Sequence, residues 1–599
     1  MSNPKAFIGT AGVSLRGKMI ANRKKAARPL LILGTLLMIN LMPVAGASSD
    51  EIPEQFQVWG KRAAAHRYLV DPGLDGPGSA EVKATAEEKA RGFVVFAKPG
   101  SAIIKPDFAP VQSDRCKSLA AVDCRGLYGR LTFGVFALAG GDYSIAVTDL
   151  IGPDGAKIGA ANFDVRAVRY IKSGGQVIPL LIETFDKKTV PTKRIQQFWV
   201  TYYIPDKATA GTYKGEIHIL VNGRKKLTLP LALRVYSFDL VEHDVKSYIY
   251  YSNSTNRAQL GLVYKELVDQ RCHGMNMGMV VPPVTGKGDL SREAMVPFLD
   301  AYKKAGFSKP YIHIGLWNRI TAAWLNTPDK SIKMWGAWHR YYPLSRKLDQ
   351  RYVKTVGMIE QECKKRGIKL ILAVADEAGS HAWTIKATQH YNDLIKKRLP
   401  DVIRELTVGG GWAMNLDEHD LWRGRIHIWT TNRWLADKLA IVRRNDPKAK
   451  IQIYNMAGAG SAPGGVQSAR NFYGFFVWKA GVNGAAQWVY RHGATPKHNY
   501  VWPGEAPNRG PVPTLRWEAV REGAKDLCYL ATLHKFLGGK RDKTARQANR
   551  FLKEIADKIE LRSDTYDPIH GGRIPAHRPG TYDQWRAKIA DFIEKLTTK

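Results

Sequence analysis

The chain has 599 residues, 44% of them hydrophobic, with 90 Lys and Arg against 54 Asp and Glu and a net charge of +36. That length exceeds what one hydrophobic core supports and calls for more than one domain, while the apolar share excludes a disordered polyelectrolyte. Five cysteines are too few for a disulfide scaffold, and their spacing fits neither a zinc site nor a haem site.

The first stretch reads as an export signal. Lys18, Arg23, Lys24, Lys25 and Arg28 precede an apolar run over 30–41, and Ala45-Gly46-Ala47 offers small residues for cleavage before Ser48. The run is shorter than the ~20 residues that span a bilayer, and no later run is longer, so the mature chain is expected to carry no membrane span. The protein is expected to be exported, to the periplasm or beyond.

From 48 to 240 the pattern is short strands broken by turns, at 92–97, 143–147, 197–203, 215–221 and 227–235. Asn222-Gly223 between the last two is a hairpin signal, because both positions tolerate the positive φ that a tight turn needs. Residues 204–213 read as a loop. This spacing without helical periodicity predicts an all-β sandwich. Cys116 and Cys124 lie close enough in sequence to close a small disulfide loop in an oxidising compartment, whereas Cys272, Cys363 and Cys528 fall in helical patterns as buried thiols.

After residue 240 strands and helices alternate. Eight strands are expected, beginning near Ser247, Met275, Tyr311, Leu370, Leu406, Ile426, Ile451 and Ala485. Amphipathic stretches at 293–304, 351–366, 435–444 and 516–536 fall between or after them. Repeated alternation over about 350 residues predicts a (β/α)8 TIM barrel spanning 241–599. A long loop over 318–344 carries five aromatic residues, from Trp324 to Tyr342, and is a candidate substrate wall.

In such a barrel the carboxyl ends of the strands build the site. The fourth strand, Leu370 to Ala375, runs straight into Asp376-Glu377. Adjacent carboxylates repel and are costly to desolvate, which favours a chemical use, although an acid pair that caps and opens a helix is the plain alternative. The other strand ends supply Trp317 and Asn318, Trp412, Trp429, Tyr454, and then Trp488, Tyr490 and Arg491. Flat aromatic faces pack on the C–H faces of sugar rings and amides bind hydroxyls, so these eight are the candidate substrate-binding residues for a carbohydrate. Part of the aromatics are equally expected in core packing. His313 is expected inward and structural.

Most glycosidases flank the scissile bond with two carboxylates roughly 5 to 10 Å apart. The sixth, seventh and eighth strand ends offer no acid, leaving one pair and no separate nucleophile. That combination suits substrate assistance, in which a 2-acetamido oxygen of the sugar attacks its own anomeric carbon.

At these residues the chain resembles glycoside hydrolase family 123. The resemblance runs through Gln197-Phe198-Trp199-Val200, Gly211 to Gly215, Asp376-Glu377, Arg470 with Trp478, Gly484 to Tyr490, Gly510 to Glu518, and Arg521-Glu522-Gly523-Ala524-Lys525-Asp526. It implies a sandwich followed by a barrel and a retaining β-N-acetylgalactosaminidase, with Asp376 orienting the acetamido group and Glu377 as acid/base. Arg521, Glu522 and Asp526 are expected to be structural, tying the last helix to the barrel. Leu527-Cys528 departs from the family, where Tyr follows the Asp.

Two other readings stay open: a glycosidase of different specificity, or a carbohydrate-binding protein without catalysis. The positive charge favours an anionic glycan, sulfated or uronic-acid-containing, or reflects solubility alone. No nucleic-acid partner is expected, since no zinc finger or phosphate-cradling loop is present. No metal or organic cofactor is expected.

Overall fold

The computed structural model describes residues 51–64, 69–70, 81–173, 176–251, 260–280, 292–315, 346–375, 382–408, 419–431, 443, 446–454, 465–491, 499–506, 509–561 and 577–598.

The first half is built of β1 (Leu69–Val70), β2 (Phe93–Phe96), β3 (Leu119–Asp123), β4 (Tyr128–Ala137), β5 (Gly141–Val147), β6 (Leu150–Ile151), β7 (Lys157–Ile158), β8 (Phe163–Ser173), β9 (Gln176–Glu183), β10 (Lys188–Val190), β11 (Ile195–Tyr203), β12 (Gly211–Val221) and β13 (Arg224–Val235). One sheet runs β1-β8-β11-β4-β2 with β9 on β8, and the other β10-β5-β12-β13-β3 with β6 and β7 at its edge. Phe93, Phe133 and Phe198 of the first meet Tyr213, Ile217, Leu229 and Leu231 of the second in one core. This is the sandwich the pattern predicts. The β12–β13 hairpin turns at Asn222 (φ 51°) and Gly223 (φ 75°), the two-residue turn that matches strand twist. β12 begins at Gly211, inside the stretch read as a loop, because Tyr213 is drawn into the core opposite Leu233.

The two thiols read as a possible disulfide are both free. β3 occupies 119–123 between them. A strand of that length extends about 16 Å, more than twice the Cα separation a disulfide tolerates. Cys116 instead packs at the sandwich core, and Cys124 is buried against the second half of the chain.

Eight of the later strands form one parallel sheet: β14 (Lys246–Ile249), β15 (Gly278–Val280), β16 (Tyr311–Gly315), β17 (Lys369–Ala373), β18 (Ile403–Val408), β19 (Ile428–Thr431), β20 (Lys450–Tyr454) and β21 (Gly484–Gln487); β22 (Val501–Pro503) and β23 (Pro511–Pro513) make a separate antiparallel pair. Their order β14-β21-β20-β19-β18-β17-β16-β15 makes a (β/α)8 barrel. At the seam between β14 and β15, Asn276 stands in for the missing ladder. Its backbone N–H donates to the Ser247 carbonyl (3.1 Å) and its side-chain oxygen accepts from the Ser247 N–H (2.8 Å).

The helices used below are α1 (Glu54–Val58), α2 (Ala86–Arg91), α3 (Leu260–Cys272), α4 (Arg292–Ala305), α5 (Arg346–Lys365), α6 (Ala382–Arg398), α7 (Gly465–Asn471), α8 (Leu515–Leu537), α9 (Lys543–Lys558) and α10 (Thr581–Thr597). Capping sets their starts: Thr514 accepts from the Trp517 N–H (3.2 Å) at α8, and Asp542 from the Ala545 N–H (2.9 Å) at α9. On α9 the buried residues are Ala545, Ala548, Leu552 and Ile555, one stripe facing α10. No helix among the described residues is long and apolar enough to cross a membrane. Of the expected helix over 435–444 only residue 443 is described, and the aromatic loop over 318–344 lies outside the described residues.

The sandwich is mounted on the barrel through buried polar groups. Asp269 of α3 accepts from Trp59 Nε1 (2.6 Å) and Trp517 Nε1 (2.8 Å), and Glu518 of α8 accepts from Trp199 Nε1 of β11 (3.2 Å). His273 Nε2 lies 3.2 Å from Glu518, whose other contacts include Arg521. Lower on α8, Glu522 and Asp526 take Arg586 of α10, and Lys525 reaches Asp123 of β3 (2.6 Å). Arg521, Glu522 and Asp526 thus have the tying role expected of them.

Candidate functional site

The barrel interior is set by alternation along its strands. Tyr248 and Tyr250, Met277 and Met279, Ile371, Ile428, Tyr454 and Ala486 form one interior cluster with Val489, and Trp488 packs against it. Polar groups run through this layer in bonded sets. Gln452 donates to Tyr248 and to Thr430 Oγ1 (3.1 Å). A Cβ on Gly484 of β21 would come within 2.5 Å of the Gln452 amide oxygen, so glycine there makes room for that side chain. His313 of β16 and Glu405 of β18 meet across β17, Nε2 to Oε2 at 3.1 Å, beneath a stacked Tyr248 ring (5.2 Å). Thr407 donates to the other Glu405 oxygen (3.2 Å). His313 is therefore inward, as read from sequence.

Glu405 was not singled out by the sequence, and it is the only acid that β14 to β21 carry. It is fully buried. The signal available was parity: in Ile403-Arg404-Glu405-Leu406-Thr407, alternate residues face inward, which pairs Glu405 with Thr407.

At the carboxyl ends, Tyr250, Tyr454 and Trp488 come together. The Tyr250 ring lies 5.8 Å from Trp488 and 6.0 Å from Tyr454. Trp488 is the more exposed member, and its peptide bond to Val489 is cis. Trp429 does not join them. Ile428 and Thr430 face inward, so Trp429 faces outward into the core between strands and helices. Tyr490 is also turned outward: it is fully buried and its hydroxyl donates to Asp269 Oδ2 (2.8 Å). Burial, with the Asp269 charge beside it, pushes its phenol well above the ordinary range. Asp269 would itself be raised by burial, but His273 and the donors around it outweigh burial and hold it below the usual carboxylate range. Arg491 pairs with Glu266 of α3, Nη2 to Oε1 at 2.6 Å. Asp376, Glu377, Trp317, Asn318 and Trp412 lie outside the described residues; the described chain reaches Ala375, one residue before the acid pair, with Val374 and Ala375 buried. Among the described residues no group of His, Cys, Asp and Glu is arranged to hold a metal ion.

No family model matches the chain, and no curated protein matches it in sequence. In three dimensions it is similar to a family 123 glycoside hydrolase from Clostridium perfringens, described for glycolipid glycan hydrolysis. The TM-score is 0.59 at 12% identity, over 85% of this chain and 97% of that one. A family 39 glycoside hydrolase from Bacteroides cellulosilyticus gives a TM-score of 0.36 at 13% identity, over 68% of this chain and 82% of that one. A Bacteroides ovatus GH5 xyloglucanase gives 0.29 at 10%, over 68% and 98%. The likeness to the family 123 structure is one of fold, a sandwich followed by a barrel, and it agrees with the resemblance read from the motifs.

Proposed function

We propose that this chain, built on the fold of a family 123 glycoside hydrolase, hydrolyses a β-linked 2-acetamido sugar, N-acetylgalactosamine first among them, with retention of configuration. The acetamido oxygen attacks the anomeric carbon as the glycosidic C–O bond breaks, and Glu377 gives its proton to the leaving oxygen. Asp376 accepts the acetamido N–H and keeps the oxygen aimed. Glu377 then takes a proton from the water that reopens the oxazolinium ring at the anomeric carbon. Two inversions at one carbon give retention. Two adjacent carboxylates push each other's pKa values apart, which keeps one protonated while the other stays ionised.

The observation that carries this reading is Glu405. Among the described residues of the eight strands the one acid is buried and bonded to His313 and Thr407, which supports a route that draws its nucleophile from the substrate. Export rests on residues 1–47, and the net charge of +36 favours an anionic polysaccharide, whose binding should weaken as salt rises.

The test is hydrolysis of 4-nitrophenyl β-N-acetylgalactosaminide beside the glucosaminide and the plain galactoside, with Glu377→Gln and Asp376→Asn. Acetamido-only cleavage, falling at least about 100-fold in each variant, is expected. Full activity in Glu377→Gln would sink the reading. Cleavage of plain galactoside that is lost in Glu405→Gln would instead make Glu405 a nucleophile.

A further inference from the structure

α3, the first barrel helix, carries two carboxylates three residues apart on its buried side, Glu266 and Asp269, 1% and 0% exposed. That spacing puts both on one helix face. Asp269 belongs to the joint with the sandwich. Glu266 has a different set of partners: one oxygen accepts from the Tyr251 hydroxyl, and the other pairs with Arg491 (2.6 Å). Tyr251 follows β14 and Arg491 follows β21, so one buried carboxylate ties the exits of the two neighbouring strands.

Those exits are already cross-linked. The Tyr250 N–H donates to the Gln487 carbonyl (3.0 Å), the Tyr490 N–H to the Tyr250 carbonyl (2.9 Å), and the Tyr251 and Tyr490 rings meet edge to face at 5.7 Å. Tyr250, 2% exposed, and Trp488, two of the three rings that meet at the barrel mouth, stand within three residues of the tied positions. A buried ion pair adds little net stability against apolar residues of the same size, yet losing one partner is costly. Its use here is to fix geometry, since an aromatic face stacks on a sugar only in one orientation.

We propose that Glu266 is a positioning residue of the barrel mouth, which through Tyr251 and Arg491 fixes Trp488, backed by the buried Tyr250 ring, as the face on which a glycan ring stacks. This deepens the glycosidase reading and rests on it for the nature of the ligand. Glu266 acts at one remove and touches no reacting atom.

The experiment compares Glu266→Gln, which keeps shape and removes charge, and Tyr251→Phe, which removes one hydroxyl, with the unaltered chain. Two readouts are taken: steady-state kinetics on the acetamido glycoside, and hydrogen exchange followed by mass spectrometry over 248–251 and 484–491. The expected result is a rise in KM of about tenfold with kcat changed less than about threefold, and exchange accelerated about tenfold in those two segments. Unchanged exchange in a folded Glu266→Gln, or an unchanged KM, overturns the proposal. If Glu266→Gln does not fold, Tyr251→Phe carries the same two criteria. Lack of turnover by the unaltered chain would count against the glycosidase reading alone, and exchange would still decide whether Glu266 holds the mouth.

Discussion

Asp526 is the sharpest place to test the physics of this fold. It is 0% exposed and accepts three charged donors: Arg470 Nε at 2.7 Å, Arg470 Nη2 at 3.1 Å and Arg586 Nε at 2.6 Å. Asp526→Asn leaves two buried guanidiniums facing an amide. At an effective dielectric constant near 20, a unit pair at ~4 Å is worth about 4 kcal/mol, and measured losses on breaking buried pairs run about 3–5 kcal/mol. Arg586 keeps Glu522 (2.6 Å) and Arg470 keeps Asp583 (2.5 Å), which favours the low end, about 3 kcal/mol. At about 2–3 °C per kcal/mol, the apparent Tm should fall by roughly 5–10 °C. Scanning fluorimetry at one fixed rate is the assay, because a chain of this size need not unfold reversibly. The double variant Arg470→Met with Asp526→Leu should recover part of the loss, since both partners leave together. A shift under about 1 °C for Asp526→Asn, or a double variant worse than the sum of the singles, would refute the account.

Two further stability outcomes follow from the same region. A Cβ on Gly523 would sit 2.5 Å from the Arg470 carbonyl oxygen. Gly523→Ala should therefore cost about 1–3 kcal/mol by prising α7 from α8, whereas Gly357→Ala on α5 meets only Leu399 at 3.7 Å and should raise Tm slightly; equal effects from the two would argue against close approach as the cause. Acid should unfold the joint. Burial would raise Glu522, but Arg586, Lys525 and Arg130 outweigh it and hold the carboxyl well below the usual range; Asp583 and Glu518 are likewise depressed against burial, by Arg470 and Arg521 respectively. Groups depressed in the folded state contribute above the unfolded value near 4.3 and lose that contribution as pH falls below it. Burial holds His243 neutral in the fold, down to about 4, so stability should already decline as pH falls below about 6.5. It should fall further below about 4.3 as the carboxylates take protons, and Glu522→Gln should start lower and fall less steeply in that lower range. Parallel curves for the two proteins would rule out Glu522 as a source of the slope.

The barrel was legible because parallel strands covered on both faces write themselves as continuous apolar runs. All eight expected starts fall within three residues of the observed ones. The same property hid which way side chains point. In Ile428-Trp429-Thr430 both faces are buried, so an aromatic looks alike whether it lines the interior or meets a helix, and Trp429 was read as substrate-facing when it packs outward. Tyr490 was misread for a related reason: its partner Asp269 lies 221 positions away, and no local pattern announces a contact of that range. Glu266 escaped for the same cause. Acids on the buried face of a helix are the clue that does remain in the sequence, since they are almost never buried without partners.

The net charge shows where composition stops being informative. Arg166, Arg404, Arg470, Arg516, Arg521 and Lys525 are all buried, so part of the basic excess never meets a partner outside the fold. Arg166 donates to the Gly60 carbonyl (2.8 Å), Arg130 lies 3.4 Å from Asp583, and Lys525 bridges α8 to β3. Of these, Arg130 and Lys525 join sandwich to barrel. An apolar joint would tolerate conservative truncation, losing about 1–3 kcal/mol per side chain. A joint of buried ions responds differently: each charge is held by two or three others, so removing one strands the rest. The closing motif Arg521-Glu522-Gly523-Ala524-Lys525-Asp526 concentrates that dependence on one helix.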